Sequence, residues 1–135
     1  AARPPRWFHD VRLDAALARA KRESKPLLVD FEADWCSWCK RLDYYVYPDA
    51  EVAALLDRFV LLKINEEFDY DGLLARLGGK ALPYLVILDA RGRPFAFPHR
   101  DEQGRTTTIT GPPGFQPPAA FARVLREALE TWPTR

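Results

Sequence analysis

Methionine is absent from this chain, cysteine and histidine occur only twice each, and no apolar run exceeds a few residues. Each scarcity excludes something. Without a long apolar run no helix can span a bilayer, and membrane insertion is not expected. With 20 basic residues against 19 acidic and a net charge of +1, nothing electrostatic points to nucleic acid or an anionic membrane surface as partner. Arg3, Arg6, Arg12 and Lys21 are too dispersed for a basic arm and read as solvated surface. A closed zinc site takes about four ligands. Only Cys36 and Cys39 are close in sequence, while His9 and His99 lie far off without paired spacing, so no metal is expected. Lacking methionine, the chain is not expected to begin at its encoded start. The opening Ala1-Ala2-Arg3-Pro4-Pro5 suits the stretch after a signal-peptide cleavage site, although a trimmed chain would look the same. A periplasmic or otherwise extracytoplasmic location is the expectation, with the cytoplasm as alternative.

The 135 residues, 47% hydrophobic and 29% charged, suit one domain with a real core. Residues 1–9 read as a Pro-rich N-terminal extension. From Asp10 to Glu23, Leu13, Ala16, Leu17 and Ala20 recur at helical spacing, and Lys25-Pro26 ends the helix. The segment 27–33, LLVDFEA, is apolar at both odd and even positions and reads as a strand buried on both faces. A helix is expected from near Cys36 towards Tyr45, and another beyond Asp49 as N-cap, with Val52, Leu55 and Leu56 as its apolar stripe. Strands follow at 59–65 and 84–89, separated by a helix from Asp71 to Leu77 that Gly78-Gly79 terminates. Two further strands flank a polar tip from His99 to Arg105. After a Pro-rich stretch, Phe121, Val124, Leu125, Ala128, Leu129 and Trp132 form the stripe of a last helix. Such alternation predicts an α/β fold with a central mixed sheet and helices on both faces.

Cys36 and Cys39 fall where a buried strand gives way to a helix, the place α/β proteins commonly use for chemistry. Three readings of the pair exist: half a metal site, a small structural disulfide, or redox chemistry. A disulfide across so short a loop gives the least entropic stabilisation. Redox chemistry fits the placement. At a helix start Cys36 meets the positive end of the dipole and unpaired N–H groups, which lowers a thiol pKa. Cys39, a turn further in, is expected to be less exposed. Cys36 is then the attacking thiol and Cys39 the one that resolves the mixed disulfide.

The run from about Leu27 to Leu129 resembles the thioredoxin superfamily, with the landmarks in order: VDFEADWCSWCK, LLKIN, ALPYLVILDARG, and an amphipathic closing helix. The stretch from Ala33 to Asn65 is most similar to the C-terminal thioredoxin-like domains of thiol:disulfide interchange proteins and to their small single-domain relatives. The resemblance implies a thioredoxin fold and a thiol–disulfide oxidoreductase that needs no organic cofactor. It implies protein disulfide or dithiol substrates, an upstream dithiol donor, a monomer, and reduction rather than formation of disulfides. By the same resemblance Pro83 is a cis-proline beside the CxxC, leaving the Leu82 backbone to pair with an extended substrate segment; a trans proline opening a strand is the plainer alternative. Asp30 matches a buried acid behind the resolving cysteine, suited to take the Cys39 proton. Alternatively Asp30, Glu32 and Asp34 share one exposed strand face. Lys63 matches a lysine that pairs with that acid, unless it snorkels to the surface. Trp35 is expected to pack beside the thiols and shape the docking surface, or to be simply core. Lys40 either stabilises thiolate charge or is a solvated lysine.

Departures from the pattern are informative. Ser37-Trp38 stands between the cysteines where thioredoxins proper have Gly-Pro, so Trp38 adds an apolar surface next to the active thiol. The segment Phe95 to Thr110 is longer than a tight hairpin and reads as a tolerated insertion or a partner contact. Tyr44, Tyr45 and Tyr47 line a docking groove or serve helix packing. The rival function is a binding module of the same fold, its cysteines acting as a redox sensor or binding Cu(I).

Overall fold

The computed structural model describes residues 3–133. Four strands form the central sheet: β1 (Trp7–His9), β2 (Leu27–Glu32), β3 (Val60–Asn65) and β4 (Tyr84–Leu88), in the order β1-β3-β2-β4. β1 and β2 run parallel to β3, and β4 is antiparallel to β2. The sheet is therefore mixed as expected, but its antiparallel strand is β4, while the later hairpin forms a separate two-stranded sheet.

Side-chain parity splits the core into two layers, because successive residues of a strand face opposite sides. Leu27, Val29 and Phe31 of β2 join Val60, Leu62 and Ile64 of β3 on one face, under Ala16 and Ala20 of helix α1 (Leu13–Glu23). Leu28 and Leu61 face the other way, against Val52 and Leu56 of α3 (Ala50–Leu56) and Phe121, Val124 and Leu125 of α5 (Pro118–Thr131). Between β2 and α3 lies α2 (Ser37–Arg41), which continues as a π-helical turn over Leu42–Val46. A one-turn helix α4 (Leu73–Arg76) covers the first face near Leu77. Asp49 caps α3 as its sequence position indicates, its carboxylate accepting the Val52 N–H at 3.2 Å.

The segment after β4 forms the hairpin β5 (Phe97–Arg100) and β6 (Thr106–Ile109). Phe97 is buried, and Glu127 of α5 accepts from Arg100 N–H at 3.0 Å and contacts His99 Nδ1 at 2.6 Å. β5 is shifted towards the tip relative to the apolar run 94–98 from which a strand is expected, so His99 and Arg100 belong to β5 and not to the polar tip.

One expectation needs correction. Trp7–His9 is not part of an extension: it pairs with Leu61, Leu62 and Lys63 as an edge strand of the sheet. Three residues after Pro4-Pro5 are too few to show a period of two, and their pairing is decided by the neighbouring strand. Ala1 and Ala2, which open the segment read as following a cleavage site, lie outside the described residues.

Candidate functional site

Cys36 is the N-cap of α2, and its Sγ accepts the Cys39 N–H at 3.1 Å. The N-terminal N–H groups of a helix lack intrahelical partners, so one of them aimed at a sulfur favours negative charge there. Cys36 and Cys39 are joined as a disulfide, their Cα atoms 5.3 Å apart. In this form their exposures scarcely differ, 4% and 3%. The expected contrast in exposure is therefore absent, because the bridge seats both sulfurs in one small cluster with Ala33 and Leu82. The N-cap position distinguishes the two thiols where burial does not.

The Leu82–Pro83 peptide bond is cis. Leu82 packs on the cysteines, and Pro83 lines an open cleft with Tyr84, Ile109 and Gly111 to Gly114. Trp38, half exposed, leans on Phe115 at the end of that Pro-rich segment, with ring centroids 5.2 Å apart. The Arg41 guanidinium also lies over the Trp38 ring, 4.7 Å from its centroid. Trp35 is 70% exposed, so it is not part of the core. Leu82 thus packs on the disulfide and Pro83 lines the cleft next to it in sequence, while Trp35 and Trp38 flank Cys36 in sequence and are exposed. Lys40 is exposed.

Below the helix, Asp30 and Lys63 sit opposite each other across the β2–β3 pair. Both are buried, at 1% and 6% exposure, which excludes the exposed-face reading for Asp30. Burial pushes the Asp30 carboxyl up to about 7, against the Tyr47 hydroxyl bond and the Lys63 charge, which pull it down. Glu32 and Asp43 add to the rise through like-charge repulsion. Carboxylate oxygens of Asp30, Glu32 and Asp43 all lie within 4.8 Å of one another. Their cation is Lys63, whose ammonium bonds Asp43 and lies 3.5 Å from Glu32.

Lys63 therefore does not make the expected bond to Asp30. Its burial alone would lower its pKa, but the Asp43 bond and the charges of Asp30, Asp43 and Glu32 outweigh this and raise it. The Asp30 partner is instead Tyr47, whose hydroxyl donates to Oδ2 at 2.6 Å. The Tyr47 phenol is itself pushed well above its usual range, by burial first and then by the Asp30 charge. Of the three tyrosines considered for a groove, Tyr44 and Tyr45 are about 70% exposed and Tyr47 is buried.

Asp43 is a residue that sequence reasoning missed, and for Tyr47 it missed the bond to Asp30. Asp43 follows Cys39 by four, so helical spacing places it one turn further on the same face. Tyr47 gave no such signal, because the π-helical turn alters the phase: its N–H bonds Leu42 O, five residues back, at 2.8 Å.

Known proteins resemble the chain in sequence and in fold. The Thioredoxin-like family matches residues 7–90. A thiol:disulfide interchange protein DsbD of Vibrio vulnificus is 42% identical over 88 residues, covering 61% of this chain and 14% of its own. That of Cronobacter sakazakii is 37% identical over 121 residues, 87% of this chain and 18% of its own. The chain thus spans less than a fifth of the length of these curated relatives. A thioredoxin from Thermus thermophilus superimposes with a TM-score of 0.68 at 22% identity, over 94% of this chain and 88% of the other, which shows the shared fold. No helix among the described residues is long and apolar enough to cross a membrane. With its match extending from the edge strand Trp7–His9 past the cis-proline, the chain belongs to the thioredoxin-like family.

Proposed function

We propose that the chain is a thiol–disulfide oxidoreductase that reduces protein disulfides through Cys36 and Cys39. The observation that carries this reading is the N-cap geometry of Cys36, whose sulfur receives a backbone N–H while Cys39 lies inside the helix. In the reduced chain the Cys36 thiolate attacks one sulfur of a substrate disulfide, forming a mixed disulfide and releasing the other substrate sulfur as thiolate. Asp30 takes the proton of the Cys39 thiol. The Cys39 thiolate then attacks Cys36 Sγ, the bond to the substrate breaks, and the second substrate thiolate leaves. Cys36–Cys39 is regenerated as the disulfide seen here, to be reduced by an upstream dithiol donor.

A carboxyl with a pKa of about 7 is suited to this task, being mostly ionised just above neutrality yet basic enough to accept a proton. Lys63 pairs with Asp43 and Glu32, which leaves Asp30 without a salt-bridge partner of its own. Pro83 lines the cleft where an extended substrate segment would lie, Leu82 packs on the disulfide, and Trp35 and Trp38 offer exposed apolar surface for docking. An extracytoplasmic compartment, where disulfides form and persist, is the proposed setting.

The test is catalytic reduction of a protein disulfide, such as that of insulin, with excess dithiothreitol as donor. Turnover well above the uncatalysed rate is expected, with none for Cys36→Ser. Cys39→Ser should stall as a mixed disulfide visible by intact mass. Reaction of the wild-type chain once without recycling would favour the rival binding module and contradict the proposal.

A further inference from the structure

Accepting a proton at a defined place requires more than a basic carboxylate. The group must be held so that one oxygen is free and the other is not. Asp30 is in that condition: Oδ2 receives the Tyr47 hydroxyl at 2.6 Å, and Oδ1 is buried without a hydrogen-bond partner among the described residues. The Tyr47 ring is itself fixed between Trp7, with centroids 4.9 Å apart, and the edge of Phe121, at 5.8 Å.

We infer that Tyr47 is a positioning residue for the exchange reaction, its hydroxyl anchoring Asp30 Oδ2 so that Oδ1 is the atom that receives the Cys39 proton. The inference rests on the oxidoreductase reading and adds to it the residue that orients its base. Packing alone does not account for Tyr47, since Phe would make the same ring contacts without burying a hydroxyl, which is costly unless bonded. An ionised carboxylate only accepts hydrogen bonds, so Tyr47 donates. When Oδ1 takes up the proton, Oδ2 still has a lone pair for Tyr47, and the anchor survives the step.

Every charged neighbour of Asp30 is otherwise engaged. Lys63 from β3 bonds Asp43 and lies 3.5 Å from Glu32; Asp43 comes from the π-helical turn and Glu32 from β2 itself. β4 places Leu85 beside Asp30, which offers nothing to titrate. Tyr47 supplies the one hydrogen bond that the Asp30 carboxylate receives among the described residues. Because that bond favours the ionised form, removing it raises the pH at which Asp30 can act.

The experiment follows the reduced chain with 5,5′-dithiobis(2-nitrobenzoate). Attack by Cys36 releases one thionitrobenzoate and leaves a mixed disulfide; resolution by Cys39 releases the second. The rate of the second phase against pH should rise in the wild type through a limb near 7. In Tyr47→Phe that limb should lie about one to two pH units higher, the range for losing a hydrogen bond to a charged group. In Asp30→Asn the limb should vanish, leaving only the ionisation of the cysteine itself. A Tyr47→Phe profile that superimposes on the wild type, with the limb lost in Asp30→Asn, would overturn the role of Tyr47 and leave the oxidoreductase reading intact. An unchanged Asp30→Asn profile would remove Asp30 as base and Tyr47 with it. Absence of the second phase in the wild type would remove the oxidoreductase reading itself. Should Tyr47→Phe fail to fold, ¹³C NMR of the wild type decides. The Asp30 carboxyl and the Tyr47 ζ carbon should titrate with one midpoint, and a Tyr47 signal blind to Asp30 protonation would overturn the inference.

Discussion

Lys63 is bonded to Asp43, twenty residues away in sequence and one turn beyond Cys39, although Asp30 is its direct neighbour across the parallel strands. The ammonium thus ties the sheet to the helix that carries the cysteines. Lys63→Met keeps much of the stem and strands Asp43 and Glu32 beside Asp30. Because their side chains are 29% and 22% exposed, the loss should fall below that for a fully buried pair, at about 2 kcal/mol at pH 7. The sign follows from the raised Lys63 pKa: its contribution is present below the usual value of 10.5 and fades above it. Urea unfolding at pH 7 checks this, and equal stability of the variant there would contradict it.

Asp30 makes the folded state less stable as pH rises. Its pKa is about 7 in the fold against an ordinary 3.8, so the native state binds its proton more tightly than the unfolded one. Stability should fall between roughly pH 4 and 7, by at most about 4 kcal/mol. Asp30→Asn removes the charge at nearly constant shape. It should gain about 2–4 kcal/mol at pH 8 and nothing near pH 3.5, measured by denaturant unfolding. A variant less stable than the wild type at pH 8 would show that the carboxylate is well compensated.

Trp38 is held by Phe115 on one side and Arg41 on another. If this surface receives protein substrates, Phe115→Ala should slow protein-disulfide reduction roughly three- to tenfold, the scale of one aromatic pair. Exchange with a small aromatic disulfide should be almost unaffected. An equal loss with both substrates would assign Phe115 to the disulfide itself and not to docking.

Gly111 fits where a side chain does not. A methyl there would meet Leu85 O of β4 at 2.5 Å, a backbone atom with little freedom to move. The adjacent Thr110 carbonyl accepts the Ile87 N–H at 2.7 Å, so the contact fastens the Pro83 cleft. Gly111→Ala should cost about 1–3 kcal/mol, read as a lower melting temperature. Wild-type stability would mean that the segment shifts freely.

Much of this architecture is legible in the sequence because burial leaves a pattern. Leu27-Leu28-Val29 announces a strand covered on both faces, Asp49 a helix start, and the stripe from Phe121 to Leu129 a helix lying on the sheet. Family resemblance supplied the cis-proline and the acid at Asp30, both found in the fold. Pairings between distant side chains were not legible. Lys63 could reach Asp30, Glu32 or Asp43, and sequence cannot weigh three acids that converge only in space. Tyr47 was hidden by the π-helical turn, which breaks the 3.6-residue period on which face assignments rest. Trp7–His9 is too short for a pattern and becomes a strand because β3 offers it an edge.

The central claim is that Cys36 and Cys39 form a reversible couple poised to reduce. Their reduction potential, obtained by equilibration against glutathione with Cys36→Ser as control, tests it most directly. A value near that of thioredoxin, about −270 mV, is expected. A value near the oxidant end, about −120 mV, would contradict a reductase and point to disulfide formation.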